Sequence, residues 1–234
     1  MRYRFILFDV DNTLLDFDRS ESNAFINTMK EYEVNCDEDL ITKFKEICAK
    51  EWDRLNLGKS DDIIIQKNYH KLYYKYSINR FERIKNTGIS ISAADMSELY
   101  LQKLSTEINY MPCALDICEA LSKDIKLVIA TNGIVDVQKK RLNDMNKYFF
   151  KQYISEEIGC IKPSTVFFKT ITEDLKVKPD DCLMVGDSLV SDIGGANRVS
   201  MDSCWYNPKR KFNNSKEIPT YEISSLLDIM QIVK

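Results

Sequence analysis

The sequence feature that most constrains the fold is a series of five short apolar runs, rich in β-branched residues, each followed by a small or acidic residue and then by a segment with helical period. Runs of this kind are typical of buried strands in a parallel sheet that helices cover. The predicted strands are residues 3–8, 126–130, 152–154, 182–185 and 203–206. We therefore predict an α/β core with a mainly parallel sheet.

The spacing of the runs is uneven, because about a hundred residues separate the first strand from the second, whereas the later strands recur at the interval of βαβ units. The intervening segment has helical periodicity. Asp18, with Glu21 three residues later, predicts an N-cap for its first helix, whose apolar face carries Phe25 and Met29. We predict an inserted, all-helical cap at residues 16–95 and a core formed by residues 1–15 and 96–234.

The charge distribution argues against a polyanion-binding protein. The 33 basic and 36 acidic residues are interspersed, and a net charge of −3 creates no long-range field toward nucleic acid or a membrane. We therefore expect no nucleic-acid polymer and no membrane as partner, and a monomer or small homo-oligomer.

The cysteines predict a reducing compartment. All seven are widely spaced and none forms a C-x-x-C pair, which is typical of free thiols. The first residues do not resemble a signal peptide, and no window of about 18 apolar residues predicts a membrane span. We expect a cytoplasmic protein.

Two carboxylates, Asp9 and Asp11, directly follow the first predicted strand within residues 8–13 (FDVDNT). An open α/β sheet binds its ligands beyond the carboxyl ends of its strands, so this position matters more than the motif. If the loop turns there, one acid faces an electrophile and a metal while the other faces a leaving oxygen. An isolated D-x-D is equally compatible with an ordinary polar transition from strand to loop.

Two further groups suit a phosphate. Thr131, Asn132 and Gly133 follow the second strand and supply a hydroxyl and closely spaced backbone N–H groups, although an ordinary turn has the same composition. Lys162, which precedes Pro163, lies outside any basic cluster, although an exposed loop lysine is the default interpretation of a single Lys.

The run at residues 182–196 (CLMVGDSLVSDIGGA) is an apolar strand that ends in Gly186 and Asp187, with Asp192 five residues later. Magnesium prefers oxygen ligands in an octahedral shell that keeps water and substrate phosphate. Carboxylates from two strand ends, Asp9 and Asp187, can therefore form a magnesium site without histidine.

In the order D-x-D, T-N-G, K-P and G-D-S-x-x-x-D, these groups resemble the four motifs of the haloacid dehalogenase superfamily, and the insert after the first motif resembles its first class of helical cap. The resemblance covers nearly the whole core. It implies a doubly wound, Rossmann-like core with an inserted all-helical cap, and a magnesium-dependent phosphatase that forms an aspartyl-phosphate intermediate.

The resemblance also implies roles for the two acids of the first motif. Asp9 would attack phosphorus, and Asp11 would protonate the leaving oxygen and later activate water. Magnesium (Mg²⁺) would be the cofactor, held by Asp9, the backbone carbonyl of Asp11 and Asp187, while Asp192 would orient metal-bound water or Lys162.

The transferring phosphoryl group would be bound by Thr131, Asn132 and Lys162. Dehalogenases and phosphonatases of the superfamily lack an acid at the position of Asp11, so a small phosphorylated metabolite is the expected partner. A phosphatase and a phosphosugar mutase both remain open. A non-catalytic binding protein with the same fold is a third hypothesis. The presence of both Asp9 and Asp11, together with Lys162 and Asp187, argues against it.

Segments outside the four motifs resemble the pyrimidine 5′-nucleotidase branch: LDFD at 15–18, Gln138-x-x-Arg141-Leu142, Ser155-Glu156-x-x-Gly159 and CWYN at 204–207. This resemblance implies a 5′-nucleotidase acting on pyrimidine nucleoside monophosphates, with phosphoglycolate or a sugar phosphate as the alternative substrate. Lys67 stands about where the branch usually has arginine, which leaves the substrate open.

Aromatic residues in the cap allow two interpretations. Trp52, Tyr69, Tyr73 and Tyr74 could stack on a base, but aromatic residues at helical spacing are more often core, which is the interpretation we favour. For His70, the single histidine, we expect a surface or packing role.

Overall fold

The computed structural model describes residues 2–85 and 91–234. A six-stranded sheet lies at the centre of this part of the chain, with strand order β3-β2-β1-β4-β5-β6 and parallel pairing throughout. The strands are β1 (Phe5–Phe8), β2 (Lys126–Thr131), β3 (Phe149–Ile154), β4 (Cys182–Gly186), β5 (Asp202–Tyr206) and β6 (Tyr221–Ile223). The predicted α/β fold with a doubly wound, mainly parallel sheet is confirmed.

The helices form the cap and cover the sheet. Those between β1 and β2 are α1 (Phe17–Glu31), α2 (Glu38–Arg54), α3 (Ile63–Lys85), α4 (Ala93–Thr106) and α5 (Ala114–Leu121). Those that follow are α6 (Val135–Arg141), α7 (Ser155–Ile158), α8 (Thr165–Leu175), α9 (Gly194–Asn197) and α10 (Ile229–Ile232). Among the described residues, no helix combines the length and the apolar character that crossing a membrane requires.

The central strand β1 is buried along its whole length because both faces of the sheet are covered. Its even-numbered side chains lie in one apolar cluster and its odd-numbered side chains in another, as the period of a strand requires. Phe8 aligns with Ile129 of β2 and with Val185 of β4. The loops that follow these three strands therefore begin at the same edge of the sheet.

β1 begins at Phe5, two residues later than predicted, and two strands toward the edges of the sheet differ further from the sequence-based prediction. β3 begins at Phe149, earlier than predicted, because Phe149 already pairs with Leu127 of β2. β6 was not predicted, because it is only three residues long and Ile223 is its single buried residue. Both lie toward the edges of the sheet, where the apolar signal in the sequence is weakest.

Helix α1 begins two residues earlier than predicted. Its N-cap is Asp16, whose carboxylate accepts a hydrogen bond from Arg19 N at 2.9 Å. The prediction of Asp18 as the cap is wrong, because Asp18 lies inside the first turn, where a carboxylate still interacts favourably with the helix dipole.

The cap helices pack around an aromatic cluster. The rings of Phe25 and Phe44 stack at 3.8 Å between centroids. Arg80 is fully buried beside this cluster, where it forms an ion pair with Glu21 at 3.0 Å and lies 4.1 Å from the centroid of the Tyr100 ring. The buried charge is therefore neutralised by one carboxylate and by the faces of aromatic rings.

The limits of the cap remain a proposal. Helix α4 packs against α1 and α3, and its buried apolar residues belong to the apolar cluster of the cap. The two segments that connect the core to the cap lie side by side, because Asp16 N donates to Asn109 O at 2.7 Å and Met111 N donates to Leu14 O at 2.9 Å. We propose that the cap continues through α4, beyond the predicted limit at residue 95. Residues 86–90 of the predicted cap lie outside the described residues.

Phe44→Ala is expected to lower the free energy of unfolding by about 3–5 kcal/mol, because it removes a ring stacked in the cap and leaves a cavity. Urea denaturation measures the change. Ile64→Ala is the control, since Ile64 is 68% exposed on α3, and it should alter the free energy by less than about 0.5 kcal/mol. A Phe44→Ala change as small as that of the control would contradict the packing described here.

Candidate active site

The loops after β1, β2 and β4 meet at one edge of the sheet, as parallel order requires. Asp9 follows β1, and its backbone N–H donates to Val185 O of β4 at 2.9 Å. Thr131 ends β2, Asp187 follows β4, and Lys162 lies in the loop between α7 and α8. The structure therefore brings together residues of all four motifs.

The Lys162 ammonium group lies at the centre of this site and is buried. Its Nζ atom donates to Asp9 Oδ1 at 2.6 Å, to Asp192 Oδ1 at 2.7 Å and to Ala130 O at 2.7 Å. Burial alone would lower the pKa of Lys162, but the carboxylates of Asp192 and Asp9 outweigh it and raise that pKa above its usual value. Lys162 is therefore a fixed cation, and contact with a phosphoryl oxygen would require the exchange of one of its three acceptors.

The predicted phosphate ligands of the second motif line a cavity beside Lys162. The Asn132 side chain donates to Lys162 O at 2.9 Å and accepts from Lys162 N at 2.7 Å. Thr131 Oγ1 accepts from Gln138 Nε2 at 3.1 Å. Asn132 thus positions the main chain of Lys162, while phosphate binding by either residue stays a prediction.

Three carboxylates converge next to the lysine. Oxygen atoms of Asp9, Asp187 and Asp192 all lie within 4.8 Å of one another. Thr13, which is buried, joins two of the loops, because its Oγ1 accepts from Asp187 N at 3.1 Å and lies 3.5 Å from Asp9 Oδ2. The hard oxygen donors of this cluster suit a divalent cation such as magnesium.

The charges of this cluster are incompletely balanced. Burial raises the pKa of Asp9 well above its usual value, although Lys162 opposes that shift. Burial, together with the charge of Asp192, raises the pKa of Asp187 to about 7. The Asp187 carboxylate has no hydrogen bond or ion pair with any described residue. A cation bound beside Asp187 would supply the charge that the protein does not.

Gly186 explains how Asp192 comes so close to the end of β4. A Cβ atom on Gly186 would lie 2.2 Å from Asp192 Oδ2. That carboxylate cannot move aside easily, because Oδ1 binds Lys162 and Oδ2 accepts from Ser188 N at 3.0 Å. Glycine is therefore required before Asp187 by the space that Asp192 occupies.

Asp11 has different partners from Asp9. Its Oδ1 accepts from Arg141 Nη1 at 2.5 Å, and its Oδ2 accepts from Gln138 Nε2 at 2.8 Å. Arg141 and Gln138 both lie on α6 and both are buried. The two acids of the first motif are thus held by cations on different elements.

A cavity of about 680 Å³ lies between these loops and the cap. Asp9, Asp11 and Lys162 lie in its wall on the core side. On the cap side it is lined by Glu21 and by five aromatic residues, Phe17, Trp52, Tyr69, Tyr73 and Tyr76. Its volume is in the range of small-molecule sites in proteins.

The cap aromatics divide into two groups. Tyr69 and Tyr76 are buried and belong to the packing of the cap, whereas Trp52 and Tyr73 are partly exposed, and all four line the cavity. Tyr74 is exposed and does not line this cavity; its hydroxyl donates to Glu156 Oε1 at 3.0 Å. Tyr69 and Tyr76 therefore both pack in the cap and line the cavity.

Two other cap residues noted in the sequence lie away from the reacting groups. Lys67 is exposed and is not among the residues that line the cavity. His70 Nε2 forms a hydrogen bond of 2.9 Å with Ser155 Oγ, which agrees with the expected packing role and joins the cap to the core.

Thr13, Gln138 and Arg141 were missed as site residues. Thr13 stands four residues after Asp9, within the first motif, and Gln138 and Arg141 have the i, i+3 spacing that places both on one face of a helix. The sequence signal for Gln138 and Arg141 is their resemblance to the nucleotidase branch, but that resemblance assigns no function to either side chain. Only the structure shows that their helix face meets Asp11.

Comparison with known proteins assigns the family. Residues 3–199 match the model of the haloacid dehalogenase-like hydrolases. The HAD-hydrolase YfnB of Bacillus subtilis (strain 168) is 31% identical over 99% of this chain and 96% of its own length. Its orthorhombic crystal structure, which is bound to magnesium and reveals interdomain movement, matches the whole of both chains with a TM-score of 0.83 at 29% identity. The chain belongs to the haloacid dehalogenase-like hydrolases.

Two pyrimidine 5′-nucleotidases are also similar to this chain. PynA of Streptococcus pneumoniae (strain ATCC BAA-255 / R6) is 29% identical over 98% of this chain and 94% of its own length. YjjG of Escherichia coli (strain K12) is 25% identical over 100% of this chain and 99% of its own length. The predicted superfamily and its likeness to the nucleotidase branch are thereby confirmed.

Lys162→Met is expected to lower the free energy of unfolding by about 3–5 kcal/mol, because the buried carboxylates of Asp9 and Asp192 would lose their shared cation. Urea denaturation at neutral pH measures the loss. Lys169→Met, at an exposed position of α8, is the matched control. Adding Asp192→Asn to Lys162→Met should restore part of the loss. Equal stability of the Lys162 and Lys169 variants would show that the ion pairs do not stabilise the fold.

Proposed function

We propose that the protein is a cytoplasmic, magnesium-dependent phosphomonoesterase that acts through an aspartyl-phosphate intermediate, as a 5′-nucleotidase on pyrimidine nucleoside monophosphates. The observation that carries the proposal is the convergence of Asp9, Lys162 and Asp187 at one sheet edge, in the wall of a single cavity. A nucleophilic carboxylate, a fixed cation and a cation-binding carboxylate are the groups that phosphoryl transfer requires.

The charge of the site supports a requirement for magnesium. Asp9, Asp187 and Asp192 bring three carboxylates together around the single ammonium group of Lys162. A phosphate monoester would add further negative charge, which repulsion would exclude unless a divalent cation were present. Asp9, Asp187 and the backbone carbonyl of Asp11 are the proposed ligands. A bound magnesium ion supplies positive charge that neutralises the transferring phosphoryl group.

The proposed first step is attack on phosphorus by a carboxylate oxygen of Asp9. Lys162 binds Oδ1, which fixes the orientation of the carboxylate and leaves Oδ2 with only the long contact to Thr13. As the Oδ2–P bond forms, the bond from phosphorus to the ester oxygen breaks, and the proton of the Asp11 carboxyl passes to that oxygen. The products are an alcohol, aspartyl phosphate at Asp9 and the carboxylate of Asp11.

In the proposed second step, Asp11 removes a proton from a water molecule whose oxygen attacks phosphorus. The bond between phosphorus and Asp9 Oδ2 breaks, inorganic phosphate leaves, and Asp11 is again protonated for the next cycle. Proton and charge therefore balance over the two steps without an additional acid or base.

The cavity supports a nucleoside as the leaving group. Its volume of about 680 Å³ accommodates a base and a sugar, and the partly exposed Trp52 and Tyr73 offer apolar ring surface for a flat base. Glu21, in the same wall, offers a carboxylate oxygen to a base N–H group. Similarity to two pyrimidine 5′-nucleotidases supports the same substrate class.

A phosphate-release panel tests the reaction and its substrate. With magnesium, the wild-type protein should release phosphate fastest from pyrimidine nucleoside monophosphates and more slowly from sugar phosphates and phosphoglycolate. Asp9→Asn should reduce turnover by at least about 10⁴-fold, because the nucleophile is lost. Asp124→Asn should retain wild-type turnover, because Asp124 lies in an exposed turn before β2, at the opposite end of that strand from Thr131.

The panel separates the parts of the proposal. Turnover by Asp9→Asn equal to that of the wild type would exclude Asp9 as the nucleophile. A preference for phosphoglycolate would overturn the nucleotidase assignment alone. Isomerisation of a sugar phosphate without phosphate release would favour a mutase.

Asp187→Asn tests the metal site. Because an amide lacks the charge of the carboxylate, the substitution should raise the magnesium concentration needed for half-maximal activity by at least about tenfold. It should also remove the rise in melting temperature that magnesium gives the wild-type protein, a readout that does not depend on catalysis. Asp124→Asn is again the control. A magnesium response that survives Asp187→Asn would contradict this ligand assignment.

A further inference from the structure

The carboxylate of Asp11 is held by two buried side chains of α6. Arg141 Nη1 donates to Oδ1 at 2.5 Å, and Gln138 Nε2 donates to Oδ2 at 2.8 Å. Both oxygens therefore have a donor, and together the two contacts fix the position and the rotation of the carboxylate.

The two donors are themselves fixed. Arg141 Nη1 also donates to Gln138 Oε1 at 3.2 Å, and Gln138 Nε2 also donates to Thr131 Oγ1 at 3.1 Å. The network thus connects Asp11 to the end of β2. A Cβ atom on Gly133 would lie 2.3 Å from Gln138 Cγ, so the glycine of the second motif leaves the space through which Gln138 passes.

The network is costly as a purely structural device. The Arg141 side chain is fully buried, and its Nε and Nη2 atoms have no hydrogen-bond partner among the described residues. The ring of Phe17, 5.7 Å from Cζ, offsets only part of that cost. An apolar side chain of similar volume would pack at this place without the desolvation of a guanidinium group. The observation that the charge is aimed at Asp11 therefore calls for a role in what Asp11 does.

We propose that Gln138 and Arg141 are positioning residues that hold the Asp11 carboxyl group at the cavity wall for proton transfer. The inference rests on the proposed phosphatase function and extends it to two residues outside the four motifs. Each Asp11 oxygen accepts one donor from α6 and keeps a second lone pair. The carboxyl group can therefore give its proton to the leaving ester oxygen, and later accept one from water, while both contacts remain in place.

This role predicts a dependence on the leaving group. The 5′-oxygen of a nucleoside leaves as an alcohol only if it receives a proton, whereas p-nitrophenolate leaves without one. Misplacing Asp11 should therefore slow the cleavage of a nucleotide far more than the cleavage of p-nitrophenyl phosphate. A general loss of structure would slow both to the same extent.

Single-turnover measurements isolate this step, because they follow release of the nucleoside or p-nitrophenol before the aspartyl phosphate is hydrolysed. For Arg141→Met and for Gln138→Met, release of uridine from uridine monophosphate should fall by about 10²-fold or more, with half-saturation unchanged. Release of p-nitrophenol should fall by less than about fivefold. Arg141→Lys, which keeps a charged donor, should retain more of the nucleoside-release rate than Arg141→Met. Lys140→Met, at an exposed position of the same helix, should match the wild type.

A second variant set shows whether the effect passes through Asp11. In an Asp11→Asn background, where the proton donor is already lost, Arg141→Met should reduce nucleoside release by less than about threefold further. Gln138→Met provides the same test if Arg141→Met does not fold.

Equal losses for both substrates, or an undiminished effect of Arg141→Met in the Asp11→Asn background, would overturn the positioning role while leaving the phosphatase function intact. Failure of the wild-type protein to release either leaving group would instead overturn the proposed function, and this inference with it.

Discussion

The buried ammonium group of Lys162 is the interaction on which the rest of the site depends. It joins Asp9 after β1, Ala130 in β2 and Asp192 after β4, so one charge connects three chain segments that are far apart in sequence. Asn132 in turn holds the main chain of Lys162 through two hydrogen bonds. Because unpaired carboxylates are costly in a buried site, the position of this cation determines where the carboxylates can lie.

The cap contributes the opposite wall of the cavity and also contacts the loops that carry the chemistry. Tyr74 of α3 donates to Glu156 Oε1, and Glu156 Oε2 accepts from Val135 N at 2.8 Å. Val135 is the first residue of α6, the helix that carries Gln138 and Arg141. The Glu156 carboxylate thus connects the cap to the start of α6, the helix that holds Asp11. A displacement of the cap would therefore act on the start of α6.

The sequence predicted the parts of the fold and site that have a local signature. Central strands such as β1 and β4 are continuous apolar runs, and Asp9 and Asp187 follow them directly, so strand ends located the site. The short edge strand β6 has no such signature, because its pairing with β5 determines it. The N-cap of α1 at Asp16 has none either, because backbone geometry determines it. The role of Arg141 also could not be predicted, since a basic residue in the last turn of a helix is ordinarily solvated.

Asp9 and Asp11 are two residues apart and chemically identical, so their different roles in the proposed mechanism must come from their surroundings. Asp9 is buried among carboxylates and shares one lysine with Asp192, which leaves it beside the cluster suited to a divalent cation. Asp11 instead accepts hydrogen bonds from the guanidinium group of Arg141 and the amide of Gln138. The first environment suits an oxygen that must bond to phosphorus, because the charge around it can be neutralised by metal and lysine together. The second suits a group that exchanges protons in a fixed place, because its donors come from α6, which carries none of the proposed ligands of the metal or the phosphoryl group. Separate cations on separate elements therefore allow two adjacent carboxylates to do different chemistry.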